Sequence, residues 1–379
     1  MKRSWVWVVM LVGALVVVVP RASAQRPPDK DPQGDDQTIV MSFDRSSPPG
    51  DITLWPDRTM LAYEAAGTRG YGSLFLTCIS STDSERGRCP TEDSHEIAPN
   101  RKTNISLRFV ERRSGMRRDI NVEAFIRRAD ATPACSFDYW ESYIRPISSS
   151  FGEFCTSDAP AGTGAGITVP ASELALLTAG HWDATLHLDL RLPPAQHLLS
   201  YTFTFDLTIT DHNNVAIYFP LFDFSAPLVD LNLQYNPISR PPSIGGSTVL
   251  DMCLYDGLGS QSEFLGVTVR NRDPRPPGPS GFSVWHQDGA NTDRDRVDLN
   301  ISLDHDGRKV RMANGVEQEL RGIDTAKLRL VVLPGMTQPV FCVPTPLTLE
   351  TPSFDASSKR NGTYEGELQV ELRLPTSRP

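Results

Sequence analysis

Residues 180–219 carry the most regular polarity pattern in the chain. Trp182, Ala184, Leu186, Leu188, Leu190 and Leu192 are apolar at every second position, with Asp183, Thr185, His187, Asp189 and Arg191 between them. After Pro193 and Pro194 the alternation resumes, with Tyr201, Phe203, Phe205, Leu207 and Ile209 set against Thr202, Thr204, Asp206, Thr208 and Thr210. Side chains on a strand point to opposite faces in turn, so each run predicts a strand with one buried and one wet face. The proline-marked break between the runs predicts a joint between two β-domains.

The rest of the chain continues in short strands. Residues 52–54, 73–79, 105–110, 120–126 and 167–169 are strand-like and separated by loops dense in Ser, Gly, Asp and Pro, the pattern of an all-β sandwich. Further on, Val297, Leu299, Ile301 and Leu303 alternate into Asp306-Gly307, a hairpin signal, and Leu368, Val370, Leu372 and Leu374 alternate near the end. Helix is expected only as a short turn at 171–177, with Ser172 as a cap. Gly162-Thr163-Gly164-Ala165-Gly166 resembles a phosphate loop, but it follows no strand and opens no helix, so it reads as a flexible loop.

Composition changes this picture at the N-terminus. Lys2 and Arg3 precede an apolar run and Ala22-Ser23-Ala24, which predicts a signal peptide over 1–24 and export of the remainder. Residues 25–37, rich in Pro, Asp and Gly, read as a disordered lead-in. Without Lys2, Arg3 and Arg21, the 37 basic residues become 34 against 46 acidic ones, a charge of −12 that argues against a general nucleic-acid binder. Cys78, Cys89, Cys135, Cys155, Cys253 and Cys342 all lie in the exported part. Six cysteines allow about 15 pairings; Cys78–Cys89, Cys135–Cys155 and Cys253–Cys342 keep each bridge within one domain. Their scattered spacing does not suggest a metal site.

Enzyme signatures are weak. No HExxH or GxSxG occurs, and Asp304-His305-Asp306-Gly307 lacks the downstream Glu of a calcium loop. A cofactor is not called for. Paired carboxylates for glycoside hydrolysis keep a secreted carbohydrate-active enzyme on a β-sandwich as one alternative. The most distinctive charge cluster is Arg112, Arg113, Arg117 and Arg118, expected on an exposed hairpin tip, where guanidinium forks suit sialylated or sulfated glycans.

Three stretches carry a family resemblance: YTFTFDLTITDHNNVAIYFPLFDFSAPLVDLNL from Tyr201, LDMCLYDG from Leu250, and FCVPTPLTL from Phe341. Together with the Gly180-His181-Trp182-Asp183 strand they resemble the CblD-like pilus initiators and CfaE-like tip adhesins of class 5 fimbriae, assembled by the alternate chaperone pathway. The resemblance implies two immunoglobulin-like domains, an adhesin domain over 38–194 and a pilin domain over 201–379, with a linker at 195–200. It implies a pilin domain without its own last strand, filled first by a periplasmic chaperone and then by the N-terminal extension of the adjacent major pilin subunit, with an outer-membrane usher as a further partner. Phe203, Phe205, Leu207, Ile209 and Leu368, Val370, Leu372, Leu374 are then candidate groove walls. The implied location is the fimbrial tip at the cell surface, and the implied activity is assembly initiation with or without adhesion to a host glycan. Receptor binding in that family is attributed to adhesin-domain arginines; residues 171–179 contain none, so the Arg112–Arg118 cluster rests on charge alone.

Overall fold

The computed structural model describes residues 25–133, 138–152, 159–222 and 225–375. The signal-peptide segment and the Cys135–Cys155 pair lie outside the described residues. Within them the chain is almost entirely β, arranged as two sandwich-like units.

The first unit is built from β1 (Gln37–Asp44), β2 (Ile52–Tyr63), β3 (Phe75–Thr77), β4 (Thr103–Glu111), β5 (Arg117–Ala129), β6 (Gly162–Val169), β7 (Gly180–Leu192) and β8 (Gln196–Thr210). Its sheet runs β1-β8-β7-β4-β5-β6-β2, with β3 also on β7. The alternating apolar positions of β7 and β8 are buried as their period predicts, and they pack with Trp55, Leu107 and Phe109 in one core. Trp55 stands edge-on to Tyr201 and Phe203, which links β2 to β8 across that core.

The proline break is not a joint. Strands β7 and β8 pair antiparallel from Gly180↔Ile209 to Leu192↔Gln196, and Pro193 and Pro194 sit in the hairpin turn between them. A turn is where a residue without an N–H costs the ladder nothing. Residues 195–200 are therefore not a linker, and residues 201–210 belong to the first unit's sheet. The change of unit falls instead at the single 3₁₀ turn His212–Asn214.

Three local expectations also change. The 162–166 glycines lie in a buried strand, because rings occupy the space that side chains would take. An added Cβ would stand 2.6 Å from Tyr63 at Gly162, 2.6 Å from Trp140 at Gly164 and 2.4 Å from Phe125 at Gly166. The lead-in is pinned: Lys30 bridges to Tyr63, the Asp29 carboxylate accepts from Ala65 N, and Asp35 accepts from Trp55 Nε1 at 2.9 Å. Helix α1 (Ala171–Leu174) exists, but its N-cap is Pro170 and no side chain caps it, so Ser172 is not the cap.

The second unit contains β9 (Ala216–Tyr218), β10 (Leu233–Asn236), β11 (Ser243–Leu250), β12 (Cys253–Tyr255), β13 (Phe264–Asn271), β14 (Phe282–His286), β15 (Arg296–His305) and β16 (Arg308–Arg311). It is completed by β17 (Glu317–Arg321), β18 (Arg329–Val331), β19 (Val340–Pro344), β20 (Leu347–Asp355), β21 (Tyr364–Glu365) and β22 (Leu368–Arg373). These form sheets β10-β11-β20-β15-β14-β21, β18-β19-β12-β9 and β17-β13-β22 around a core that includes Met252, Leu254, Val267, Phe282, Ile301 and Val343. Asp306 and Gly307 make the β15–β16 turn, both with positive φ, as a two-residue hairpin requires. Cys78–Cys89 and Cys253–Cys342 are bonded, the second joining neighbouring strands β12 and β19.

Sheet membership gives the first prediction. A fragment of residues 25–212 is expected to unfold cooperatively, whereas one ending at 194 lacks five core residues of β8 and is expected not to fold. Phe205→Ala in the longer fragment should cost roughly 3–5 kcal/mol in denaturant melts. A cooperative transition for the shorter fragment would contradict this assignment.

Candidate functional site: an open seam and a polar joint

The second unit has two strand edges that do not meet. β22 is bonded to β13 on one side, with Val269 opposite Val370, and is the last strand of its sheet. β9 is bonded to β12, with Leu254 opposite Ile217, and is likewise an end strand. Between them lies a cavity of about 1000 Å³. Its floor and walls include Ile217, Phe219, Leu299, Leu349, Leu368 and Val370, and residues 225–231 flank it. Unpaired main-chain donors and acceptors beside an apolar trough are what an added β-strand needs: ladder bonds for register and pockets for alternate side chains.

Of the two candidate walls, β22 alone is in place. Leu368, Val370 and Leu372 line the cavity, and Leu374 packs half-buried against the same core. Phe203, Phe205, Leu207 and Ile209 are essentially fully buried in the other unit and cannot border it. The opposite wall, Ile217 and Phe219, follows the unit boundary directly. Its signal was the apolar run at 215–219, too short to single out by period.

The arginine cluster is divided by its own hairpin. It occupies the β4–β5 tip, as expected, but the four guanidinium groups do not converge. Arg112 donates to both oxygens of Asp183 at 2.7 Å and pairs with Asp206 at 3.1 Å. Those bonds, to Asp183 first, raise its pKa further. Arg113 turns into the second unit, donating to the carbonyls of Ile323 at 2.5 Å and Ala326 at 3.0 Å. Burial there lowers its pKa. Arg118 reaches the Leu176 carbonyl at 3.4 Å, and Arg117 is exposed. Most of the cluster is thus committed to intramolecular partners, and Arg113 belongs to the joint.

That joint is hydrogen-bonded throughout. Glu111, 3% exposed, accepts from Ser114 N and Oγ, and from Gln261 Nε2 of the second unit at 3.3 Å. Gly180, at φ 150°, leaves room for it: a Cβ there would lie 2.8 Å from Glu111 Cγ. Asp211, 1% exposed, pairs with Arg45 at 3.1 Å, accepts from the Tyr255 hydroxyl at 3.4 Å, and donates its N–H to the Gly257 carbonyl at 2.7 Å.

A second buried polar cluster lies at the opposite end of the first unit. Arg128 is fully buried and donates to the carbonyls of Leu74, Ser149 and Phe151 and to Thr163 Oγ1. Arg145 pairs with Glu141 nearby. Asp130, 6% exposed, has its pKa pushed up to about 6, by burial first and by the neighbouring Glu141 second. Among the described residues no group of His, Cys, Asp and Glu is placed to hold a metal ion.

The chain is thus a two-unit, all-β protein whose second unit carries an open apolar seam between two end strands. The chain belongs to the CfaE family of CFA/I fimbrial proteins: the family's first-domain model matches residues 20–212 and its second-domain model residues 215–376. The boundary between the two coincides with the His212–Asn214 turn. A curated relative, the CFA/I fimbrial protein CfaE of Escherichia coli, is 27% identical over 309 residues, covering 79% of this chain and 80% of the relative. The crystal structure of CfaE, the adhesive subunit of the CFA/I fimbria of enterotoxigenic Escherichia coli, shares the fold with a TM-score of 0.68 at 23% identity, over 93% of this chain and 95% of that one. A chaperone–tip adhesin complex of CFA/I fimbriae biogenesis shares it with a TM-score of 0.65 at 22% identity, over 93% and 99%. These relatives are fimbrial subunits, not enzymes.

Asp130 yields a pH prediction. Its folded pKa lies above the ordinary value of 3.8, so the folded state binds the proton more tightly than the unfolded one. The resulting stability is fully present below pH 4 and is lost as pH rises through about 6. Asp130→Asn is expected to gain roughly 1–2 kcal/mol at pH 7.5 and little at pH 4. Equal gains at both pH values in denaturant melts would contradict the assignment.

Proposed function

We propose that this chain is an exported fimbrial tip subunit that initiates pilus assembly by accepting a donor strand into the β9–β22 seam. The open seam is the observation that carries the reading. Before assembly a periplasmic chaperone occupies it; at the usher the N-terminal extension of the adjacent major pilin replaces the chaperone. The named relatives, a fimbrial adhesive subunit and a chaperone-bound tip adhesin, support the same roles. The first unit, residues 37–210, is the adhesin domain presented at the cell surface to glycans, and the chain is read as non-enzymatic.

A second reading, assembly initiation without adhesion, draws support from the arginine tip. With Arg112 bound to two aspartates and Arg113 inserted in the joint, a glycan site cannot be built on that cluster without breaking contacts already made.

Filling the seam with alternate apolar side chains contributes roughly 1.5–3 kcal/mol for each one fully buried. Fusing an alternating apolar strand through a flexible linker to the C-terminus is expected to raise the thermal midpoint by roughly 10 °C or more. Val370→Asp should remove that gain, and periplasmic pull-downs of the unfused chain should recover a chaperone. An unfused chain as heat-stable as the fusion would end the strand-accepting reading.

A further inference from the structure

The apolar seam is electrostatically one-sided. Among the described residues lining it, the charged ones are Glu365 and Glu367, which flank Gly366 just before β22, and none is Lys or Arg. Both glutamates are exposed, and among the described residues neither has an ion-pair partner. The Glu365 carboxylate accepts only a neutral donor, the Gln287 amide at 2.6 Å. Glu371, farther along β22, is matched by Arg270 at 3.1 Å; beyond β13, on β17, Glu317 is matched by Arg373 at 2.5 Å and Glu319 by Arg321 at 2.7 Å. Among the described residues, the seam's acids at the β21 end are therefore without an ion-pair partner, whereas Glu371 farther along β22 has one.

We propose that the strand accepted by this seam carries a Lys or Arg next to its run of alternating apolar residues, at the end that meets Glu365 and Glu367. The proposal rests on the strand-accepting reading and adds the charge chemistry of the occupant. An apolar trough can hold an alternating strand in either direction or slipped by two residues, because each choice still buries one face. A cation at one end breaks that degeneracy, since a wrong register or direction leaves both carboxylates unmatched. A like charge there is repelled, so the same pair selects against acidic occupants.

The test uses the full chain, recovered from the periplasm and separated from any bound chaperone, and fluorescein-labelled peptides of alternating Ile and Val. The peptides carry Lys-Lys at the N-terminal end, Lys-Lys at the C-terminal end, or Glu-Glu at either end. One of the two Lys peptides is expected to bind roughly 3- to 10-fold more tightly than its Glu counterpart at low salt by fluorescence anisotropy. The advantage should fade at high salt, where these exposed charges are screened, and it should vanish in the Glu365→Gln/Glu367→Gln variant. Equal binding of Lys and Glu peptides, or a Lys preference that survives in that variant, overturns the charge proposal and leaves the seam intact. If no apolar peptide binds better than a control with Asp at the Ile and Val positions, the strand-accepting reading fails, and the proposal with it.

Discussion

The second unit is shaped by two strand edges, β9 and β22, that face one apolar cavity and do not pair with each other. Each edge is fixed from behind. β9 lies on β12, which the Cys253–Cys342 bridge ties to β19, while β22 lies on β13, itself flanked by β17. Pro220 and Pro227, which lack an N–H, stand where the chain leaves β9 and would weaken any attempt to extend it across the gap. The apolar side chains that a bridging strand would cover belong to the floor of the same core, so leaving them wet is unfavourable. On the strand-accepting reading, this exposed apolar floor is what an added strand would cover.

The first unit meets the second through polar contacts. Glu111 ends β4, Gly180 begins β7 and Thr210 ends β8, so three strands deliver their termini to one boundary. Two nearly buried carboxylates, Glu111 and Asp211, are satisfied there by groups from both sides. Such groups are costly to bury unpaired, so the joint favours one relative placement over a sliding apolar contact. From this boundary the β7–β8 hairpin runs about 40 Å at ~3.3 Å per residue. Its Pro193–Pro194 turn therefore lies at the far end of the unit from the joint.

That geometry explains what the sequence could and could not tell. Alternation located β7 and β8 and their buried faces correctly, because period two is a local property. It could not say whether the two strands share a sheet, since one buried face looks the same in either arrangement, and prolines suit a hairpin turn as well as a linker. The two described disulfides followed from keeping each bridge within one domain, and the Asp306-Gly307 turn from turn chemistry. The 162–166 strand was not, because its packing surface is supplied by Tyr63, Trp140 and Phe125. The lead-in was misread for a related reason: its charges are anchored by residues 20 to 40 positions away, such as Trp55 for Asp35 and Tyr71 for Asp31. Of the seam, the sequence offered the β22 wall through its alternation; charge placed the arginines on the β4–β5 tip but could not show that Arg112 and Arg113 are held by partners within the chain.

The pole away from the joint is stabilised by another means. β5 ends and β6 begins there; bridges hold Arg145 to Ile126 and Trp140 to Ala129, and the loop carbonyls beyond them must be gathered by a side chain. Arg128 does so, spreading one buried guanidinium over acceptors from residues 74, 149, 151 and 163. Burial lowers its pKa to about 9, which still leaves it protonated at neutral pH. Only a charged, five-donor fork can satisfy several loop carbonyls at once, and a lysine of similar reach has too few donors in fixed directions. The backbone at residues 74, 149 and 151 is thereby tied together from the inside of the unit.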